Sequence, residues 1–598
     1  MASKVINRRD LDFQLYEALD TEALTARARY SEHGRETFAA AIDTALKIAE
    51  EKFLPHNRKA DEHEPEFDGT RVQMIPEVKD AVRAVADAGF LAAAHDYALG
   101  GMQLPVTISQ ACMALFNGAN ISTSAYPFLT IANANVIHRY GTAEQKQRYL
   151  KRLLTGRWFG TMALTEPQAG SSLADITTTA TPNPDGTYSL RGNKIFISAG
   201  DHELTENIVH LVLAKIPGGP AGVKGISLFI VPKYRVNNDG SLGARNDVTL
   251  AGLIHKMGYR GTTSTMLSFG EKGQCVGEIV GEPHRGLSYM FHMMNEARIG
   301  VGLGAVMLGY AGYLHAVEYA RERPQGRPVA SKDPKMPQTP IIAHADVRRM
   351  LLAAKSYVEG GLSLCLYAAR LVDESRTGET PQAQQNAGRL LDLLTPVVKA
   401  WPSQFCLEAN NLAIQVHGGY GYTREYPVEQ LYRDNRLNPI HEGTNGIQAI
   451  DLLGRKLVID GGEALDLLGR EMARDIDAAA AHKALQSYAR ELQAAWQRTL
   501  TVTRTLAAAL DEDVTAGLAN ASAYLEAFGH VVVAWRWLRQ AVAAARGLER
   551  SADDADFYRG KLAACRYFFR WELPKTKAQF DLLESRDRTT LDAQPEWF

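Results

Sequence analysis

Between Trp158 and about Val280 the chain departs from the helical period that governs it on both sides. The runs TYSLRG, NKIFIS, NIVHLVLAKI, GISLFIVPKY and STMLSFG are short, β-branched or alternating, and broken by Gly, Pro and Asn-Asp turns. No helix of ordinary length separates them. Parallel strands need crossovers of roughly a dozen residues or more, so a doubly wound dinucleotide fold is disfavoured and an antiparallel sheet or small barrel is expected.

The flanks read as helix. From Arg35 to about Gly156, FAAAIDTALKIAEEKFL and VKDAVRAVADAGFLAAA carry apolar residues at helical spacing. From Leu287 to Leu457 the pattern returns in longer form, as in DVRRMLLAAKSYVEGGLSLCLYAARLVDES, and predicts a helical bundle. After Gly461 and Gly462 an Ala-rich helical region continues to about Glu584. The expected fold class is α+β, mostly α, with domains over 1–158, 159–284, 285–458 and 459–598. A chain of 598 residues is too long for one core, which agrees with that division.

Composition removes several function classes. With 66 basic and 68 acidic residues the net charge is −2, so nothing in the overall balance favours nucleic acid or an anionic membrane. The five cysteines are far apart and lack C-x-x-C spacing, which predicts buried reduced thiols rather than disulfides or a zinc site. MASKVINRRDLDFQ has no apolar core of a signal peptide, and no run of eighteen apolar residues follows, so a soluble cytoplasmic protein without integral membrane association is expected.

Four segments carry candidate chemistry. Leu164-Thr165-Glu166-Pro167-Gln168-Ala169-Gly170-Ser171-Ser172 sits where helix hands over to strand, a place where loops often hold ligands, yet its composition is also that of an ordinary polar turn. Lys194-Ile195-Phe196-Ile197-Ser198 reads as a strand ending at a glycine turn, with Phe196 either an aromatic wall or one more core ring. Gln415-Val416-His417-Gly418-Gly419-Tyr420-Gly421 is dense enough in glycine to interrupt a helix and let a ligand approach the backbone. Ile440-His441-Glu442-Gly443-Thr444-Asn445 places a carboxylate on a turn that opens the next helix. Taken singly, a glutamate before glycine is usually solvated.

Together, these segments resemble the acyl-CoA dehydrogenase family. Its signatures LTEP-x-AGS, K-x-[WF]-I-[ST], K-x-G-x-R, ER-x-x-G, Q-x-x-GG-x-G and I-[YFH]-EGT all occur in the family's order. The resemblance covers roughly residues 40–457. Length, ISAGDHELTEN and the added C-terminal helices are similar to the long subfamily that includes 3-methylthiopropanoyl-CoA dehydrogenases and some fatty acyl-CoA dehydrogenases. It implies an N-terminal helical domain, a middle β-barrel domain, a four-helix domain and an appended helical domain, with FAD between the β-domain and the bundle.

The same resemblance implies a reaction and its residues. Glu442 would remove the α-proton of an acyl-CoA thioester while FAD takes the β-hydride, giving a trans-2-enoyl-CoA, with electrons passing to an electron-transfer flavoprotein, as in fatty acid β-oxidation. Leu164, Thr165, Phe196 and Ser198 would meet the flavin ring, and Ser171 the diphosphate of FAD or CoA. Arg323, Gln325, Gln415, Gly418 and Gly419 would meet the adenosine half of FAD from a neighbouring subunit, implying a homodimer or dimer of dimers. Thr444 would also touch FAD, and Gly443, Asn295 and Arg298 the acyl-CoA.

Some positions depart from the family pattern. The site where a few members carry their base aligns with Ala297, which cannot act, and a helical step of about 100° turns Glu296 from that face. Phe196, His441 and Gly446 stand where many members have Trp, Tyr and a larger residue. The insert VASKDPKMPQTPI, 329–341, is longer than in short members. Two other classes stay open: an acyl-CoA oxidase that passes electrons to oxygen, and a DNA-binding alkylation-response relative, against which the acidic runs DEDV and ADDAD in the C-terminal region argue. HVVVAWRWLRQAVAAARGL is apolar enough for a membrane-docking helix, but its setting among amphipathic helices favours packing inside the protein.

Overall fold

The computed structural model describes residues 3–598 except 238, 332, 460 and 551, and gives the backbone alone for 291–295. It forms two compact units, one of Arg29–Gly300 and one of residues 1–28 with Val301–Phe598. The first helix, α1 (Arg8–Asp12), belongs to the second of these and is taken up below.

The Arg29–Gly300 unit begins with α2 (Arg35–Ile48), α3 (Pro76–Asp87), α4 (Val106–Ala119) and α5 (Ile121–Tyr140). Pro76 sits in the first turn of α3, where a missing N–H costs nothing, and Val78, Ala81, Val82 and Val85 form its buried stripe. Asn120 starts α5 by accepting from Thr123 N at 3.0 Å.

The strands that follow are β1 (Trp158–Ala163), β2 (Thr179–Pro182), β3 (Tyr188–Ser198), β4 (Asn207–Lys215), β5 (Ile226–Pro232), β6 (Val248–Leu253), β7 (Ser264–Phe269) and β8 (Val276–Ile279). Their order is β6-β7-β3-β8-β5-β4-β1, with β2 paired to β3 and β4. Most pairings are antiparallel, as expected. β1 instead runs parallel to β4, because β2, β3 and their loops intervene and bring the chain back in the same direction. β2 also meets β4 in parallel, at Thr179 and Lys215. β4 is buried along almost its whole length, which accounts for a run, NIVHLVLA, that is apolar except at Asn207 and His210. Val212, Phe229, Val231, Leu267 and Phe269 lie in the core beneath the sheet.

The second unit contains the remainder of α6 (Gly286–Glu322), then α7 (Ala345–Thr377), α8 (Pro381–His417), α9 (Val428–Asn435) and α10 (Asn445–Asp451). The stretch Glu296–Glu322 is long and apolar enough by composition to cross a bilayer, although it is no unbroken apolar run, and 83% of its most apolar window is buried as in a core helix. The appended helices are α11 (Glu463–Ala480), α12 (Gln486–Glu512), α13 (Ala521–Arg550), α14 (Ala555–Tyr567) and α15 (Thr576–Glu584). On α13, Val531, Val532, Val533, Trp535 and Trp537 are buried, so the segment that invites a membrane reading forms part of the unit's own core. All five cysteines are buried and none is in a disulfide, as their spacing predicts.

Helical spacing in the sequence begins at Arg35, yet α1 and the turn Phe13–Ala18 that follows it are also ordered and largely buried. Asp10 accepts from Tyr310 Oη at 2.8 Å and pairs with Lys561, which also meets Glu359 at 2.8 Å. Gln14 donates to Gln540 Oε1 at 2.7 Å, and Arg9 Nε to Asp554 Oδ2 at 3.1 Å. The segment is too short for its period to register, and its partners lie hundreds of positions away.

Candidate active site

In the Arg29–Gly300 unit the Leu164–Ser172 loop is fastened by one buried ion pair. Glu166, 2% exposed, accepts from Thr177 N at 2.6 Å, Thr178 N at 3.0 Å, both threonine hydroxyls, and Lys194 Nζ at 2.9 Å. Lys194 also donates to Leu164 O at 3.0 Å. A backbone bond from Ile195 N to Thr165 O, 3.0 Å, ties the loop to β3 beside it. Burial alone would raise the Glu166 carboxyl, but the Lys194 ammonium and the threonine donors hold it down at about 2. Burial lowers Lys194 to about 8 against the pull of Glu166. Neither residue is singled out by spacing, and the only signal is a charge in each of two otherwise uncharged motifs.

β3 presents its aromatic residue through a bulge. Thr265 of β7 faces Ile197 while Leu267 faces Lys194, so β3 fits one extra residue into the step. Phe196 falls there with φ 58° and is 62% exposed, a ring turned out of the sheet rather than into the core. Ser198, opposite Ser264, is exposed at the strand end, and Ser171 is exposed on the loop. Leu164 and Thr165 are half-buried. Eight described non-glycine residues have positive φ, and four of them, Phe196, Ala199, Tyr259 and Glu442, fall in the sequence motifs. Backbone strain of this kind persists only where the surroundings enforce it.

Ala297 and Arg298 are each 3% exposed, and Glu296 accepts from Asn135 Nδ2 at 3.1 Å. The side chain of Asn295 lies outside the described residues.

In the other unit, Arg323, Gln325, Gly418 and Gly419 line one cavity of about 450 Å³ with Tyr319, Ile341, Val416, His417, Tyr420 and Thr423. Gly418 ends α8 with φ 61°, its N–H donating to Gln415 O, and a Cβ on either Gly418 or Gly419 would meet nothing within 4 Å. The cavity therefore runs up to bare backbone. Tyr319 stacks on His417 at 4.4 Å, and Arg323 lies 5.8 Å over the Tyr420 ring. The insert 329–341 returns to this place: Thr339 N donates to Gly326 O at 3.1 Å and Ile341 N to Arg323 O at 2.9 Å. A guanidinium, open glycine backbone and aromatic rings suit a nucleotide with its phosphates. Tyr319 and His417 carry no signal in the sequence beyond their neighbours.

Glu442, half-buried, stands at φ 54° on the turn before α10. Thr444 caps that helix, its hydroxyl accepting from Ile447 N at 3.3 Å. Gln448 Nε2 donates to Glu442 O at 3.1 Å and Gly443 O at 3.3 Å, and Lys399 Nζ donates to Gly443 O at 2.8 Å. Gly443 has φ 86°, and a Cβ there would lie 2.7 Å from Gln448 Nε2, so only glycine fits. His441 Nε2 lies 3.0 Å from Asn438 Oδ1, Asn438 donates to Asn435 at 2.8 Å, and Asn435 to Asn410 at 2.7 Å. An amide oxygen can only accept, which puts the imidazole proton on Nε2. Burial and the Lys399 charge hold His441 at about 3, so it is neutral.

Comparison with known proteins gives the family. The acyl-CoA dehydrogenase N-terminal, middle and C-terminal domain models match residues 35–157, 161–271 and 284–457. A model described as acetyl-CoA dehydrogenase C-terminal like matches 470–594. The chain is 35% identical to 3-methylmercaptopropionyl-CoA dehydrogenase of Ruegeria pomeroyi, over 98% of each chain. It is 33% identical to the broad-specificity linear acyl-CoA dehydrogenase FadE5 of Mycobacterium tuberculosis, again over 98% of each. An acyl-CoA dehydrogenase from Bacillus anthracis, solved in complex with FAD, shares the fold with a TM-score of 0.72 at 21% identity, over 94% of this chain and 93% of that one.

Proposed function

The chain belongs to the acyl-CoA dehydrogenase family, and from that premise we propose that it converts an acyl-CoA thioester to the trans-2-enoyl-CoA with Glu442 as the base. The observation that carries the reading is the Glu442 turn, a carboxylate held in left-handed backbone by two side-chain donors. A thioester α-proton is too weakly acidic for a free carboxylate, so the base must be fixed and partly desolvated before it can act. FAD is the cofactor, and when bound it supplies the acceptor for the β-hydride. The exposed Phe196 ring, Ser198, Thr165 and Leu164 would hold its flavin, and Arg323, Gln325, Gln415, Gly418 and Gly419 its nucleotide half. Ser171 and Thr444 would add hydroxyls, and Gly443 and Arg298 would contact the acyl-CoA.

The cavity at Arg323 supports a nucleotide site, and a homodimer in which a neighbouring subunit's FAD fills it follows from the family resemblance. Electron-transfer flavoprotein as acceptor rests on the same ground. The relatives point to a short or linear acyl group, either 3-methylthiopropanoyl or a straight fatty acyl chain.

The test is bleaching of the bound flavin by a series of acyl-CoAs that includes 3-methylthiopropanoyl-CoA, followed by dye-coupled turnover. Glu442→Gln should keep its yellow flavin and lose turnover by several orders of magnitude. Retained turnover in that variant would sink the assignment of the base, and rapid peroxide release in air would replace dehydrogenase by oxidase.

A further inference from the structure

Lys399 sits in the middle of α8 with none of its surface exposed, an uncommon place for an ammonium group. Its Nζ is turned to the loop that carries Glu442, donating to Gly443 O at 2.8 Å and lying 3.5 Å from Asn445 Oδ1. From the other side Gln448, also fully buried, donates to the carbonyls of Glu442 and Gly443. Two consecutive carbonyls are thus gripped by side chains of two helices. A non-glycine residue at φ 54° is strained relative to ordinary backbone. Without donors on its carbonyls, the turn has a more favourable conformation to relax into.

We infer that Lys399 is a positioning residue for the dehydrogenation, acting with Gln448 as a clamp that keeps the Glu442 turn in its left-handed form. The inference rests on the reading of Glu442 as base. Lys399 acts through the peptide groups, so its removal should leave binding largely intact and slow proton abstraction. A polar anchor needed only for stability would not demand a charged donor, whose burial is itself unfavourable.

The experiment uses the FAD-loaded full-length enzyme with butyryl-CoA and α-dideuterated butyryl-CoA. Lys399→Met is expected to keep its flavin content, its absorbance spectrum and a KM within about twofold. Its kcat should fall about 100-fold, the scale of an ångström-sized misplacement of a reacting group, and the deuterium isotope effect on flavin reduction should rise. Lys399→Arg, which keeps a charged donor, should recover part of the loss. If Lys399→Met does not fold, Gln448→Met carries the same expectation. An unchanged kcat overturns the clamp, and so does a loss of kcat that merely tracks loss of flavin or that saturating FAD restores. If Glu442→Gln is inactive while both clamp variants turn over at the normal rate, the clamp alone fails. Turnover by Glu442→Gln instead removes the base beneath it.

Discussion

Lys194 meets Glu166 at 2.9 Å with both side chains inside the protein, and through this pair the Leu164–Ser172 loop is fixed to β3. Removing one partner of a buried pair leaves an uncompensated charge, at a cost of roughly 3–5 kcal/mol. Lys194→Met should therefore lower the melting temperature sharply and reduce flavin retention. Lys194→Met with Glu166→Met should recover much of the stability, because no charge is then stranded. A single variant as stable as the parent would refute this account.

Acid should weaken the Arg29–Gly300 unit. His202 and His210 are buried, and burial with the Lys233 charge lowers each from 6.5 to about 3. Below about pH 6.5 the unfolded chain takes up protons that the folded one refuses, so their contribution is complete above that pH and lost as pH falls toward 3. Each histidine adds a slope of about 1.4 kcal/mol per pH unit in that window. Glu166, depressed from 4.5 to about 2, extends the loss below pH 4.5. Melting temperatures measured from pH 7 to 4 should decline steadily, and His210→Gln should decline less steeply. Identical slopes would count against it.

Arg323 in its cavity predicts a binding defect. Hydrogen bonds to charged groups contribute about 1.5–3 kcal/mol, so Arg323→Ala should weaken FAD by roughly 10- to 150-fold. Flavin release by ultrafiltration measures it directly. Unaltered affinity would place the nucleotide elsewhere.

Lys561→Met should loosen α1. Asp10 and Glu359 would lose a buried cation, at roughly 3–5 kcal/mol, and trypsin should then cut at Arg8 and Arg9 faster than in the parent. Equal cleavage rates would show that the N-terminal segment is held by other contacts.

The alternation of period in the sequence locates helices and strands because each repeats within a few residues. The bulge that turns Phe196 outward depends on register between β3 and β7, which one strand's sequence does not encode. Arg323 and Gly418 can be named beforehand because motif spacing marks each of them. Lys399 cannot, since it is one lysine in a long helix whose meaning depends on a carbonyl 44 positions later. Arg298 is named by the family resemblance alone, and its 3% exposure is a property that no local pattern announces.

The hold of Lys561 on Asp10 spans 551 positions, and this sets a schedule for biosynthesis. At ~5–20 residues per second a ribosome needs about half a minute to two minutes to cover that distance. Until then Phe13 and Leu15, which end fully buried, have no completed core to enter, while the contiguous Arg29–Gly300 unit has all its residues much earlier. A stretch synthesised early is thus among the last to find its place, and for that interval Phe13 is without the Ala543, Ala544 and Tyr558 side chains it packs against.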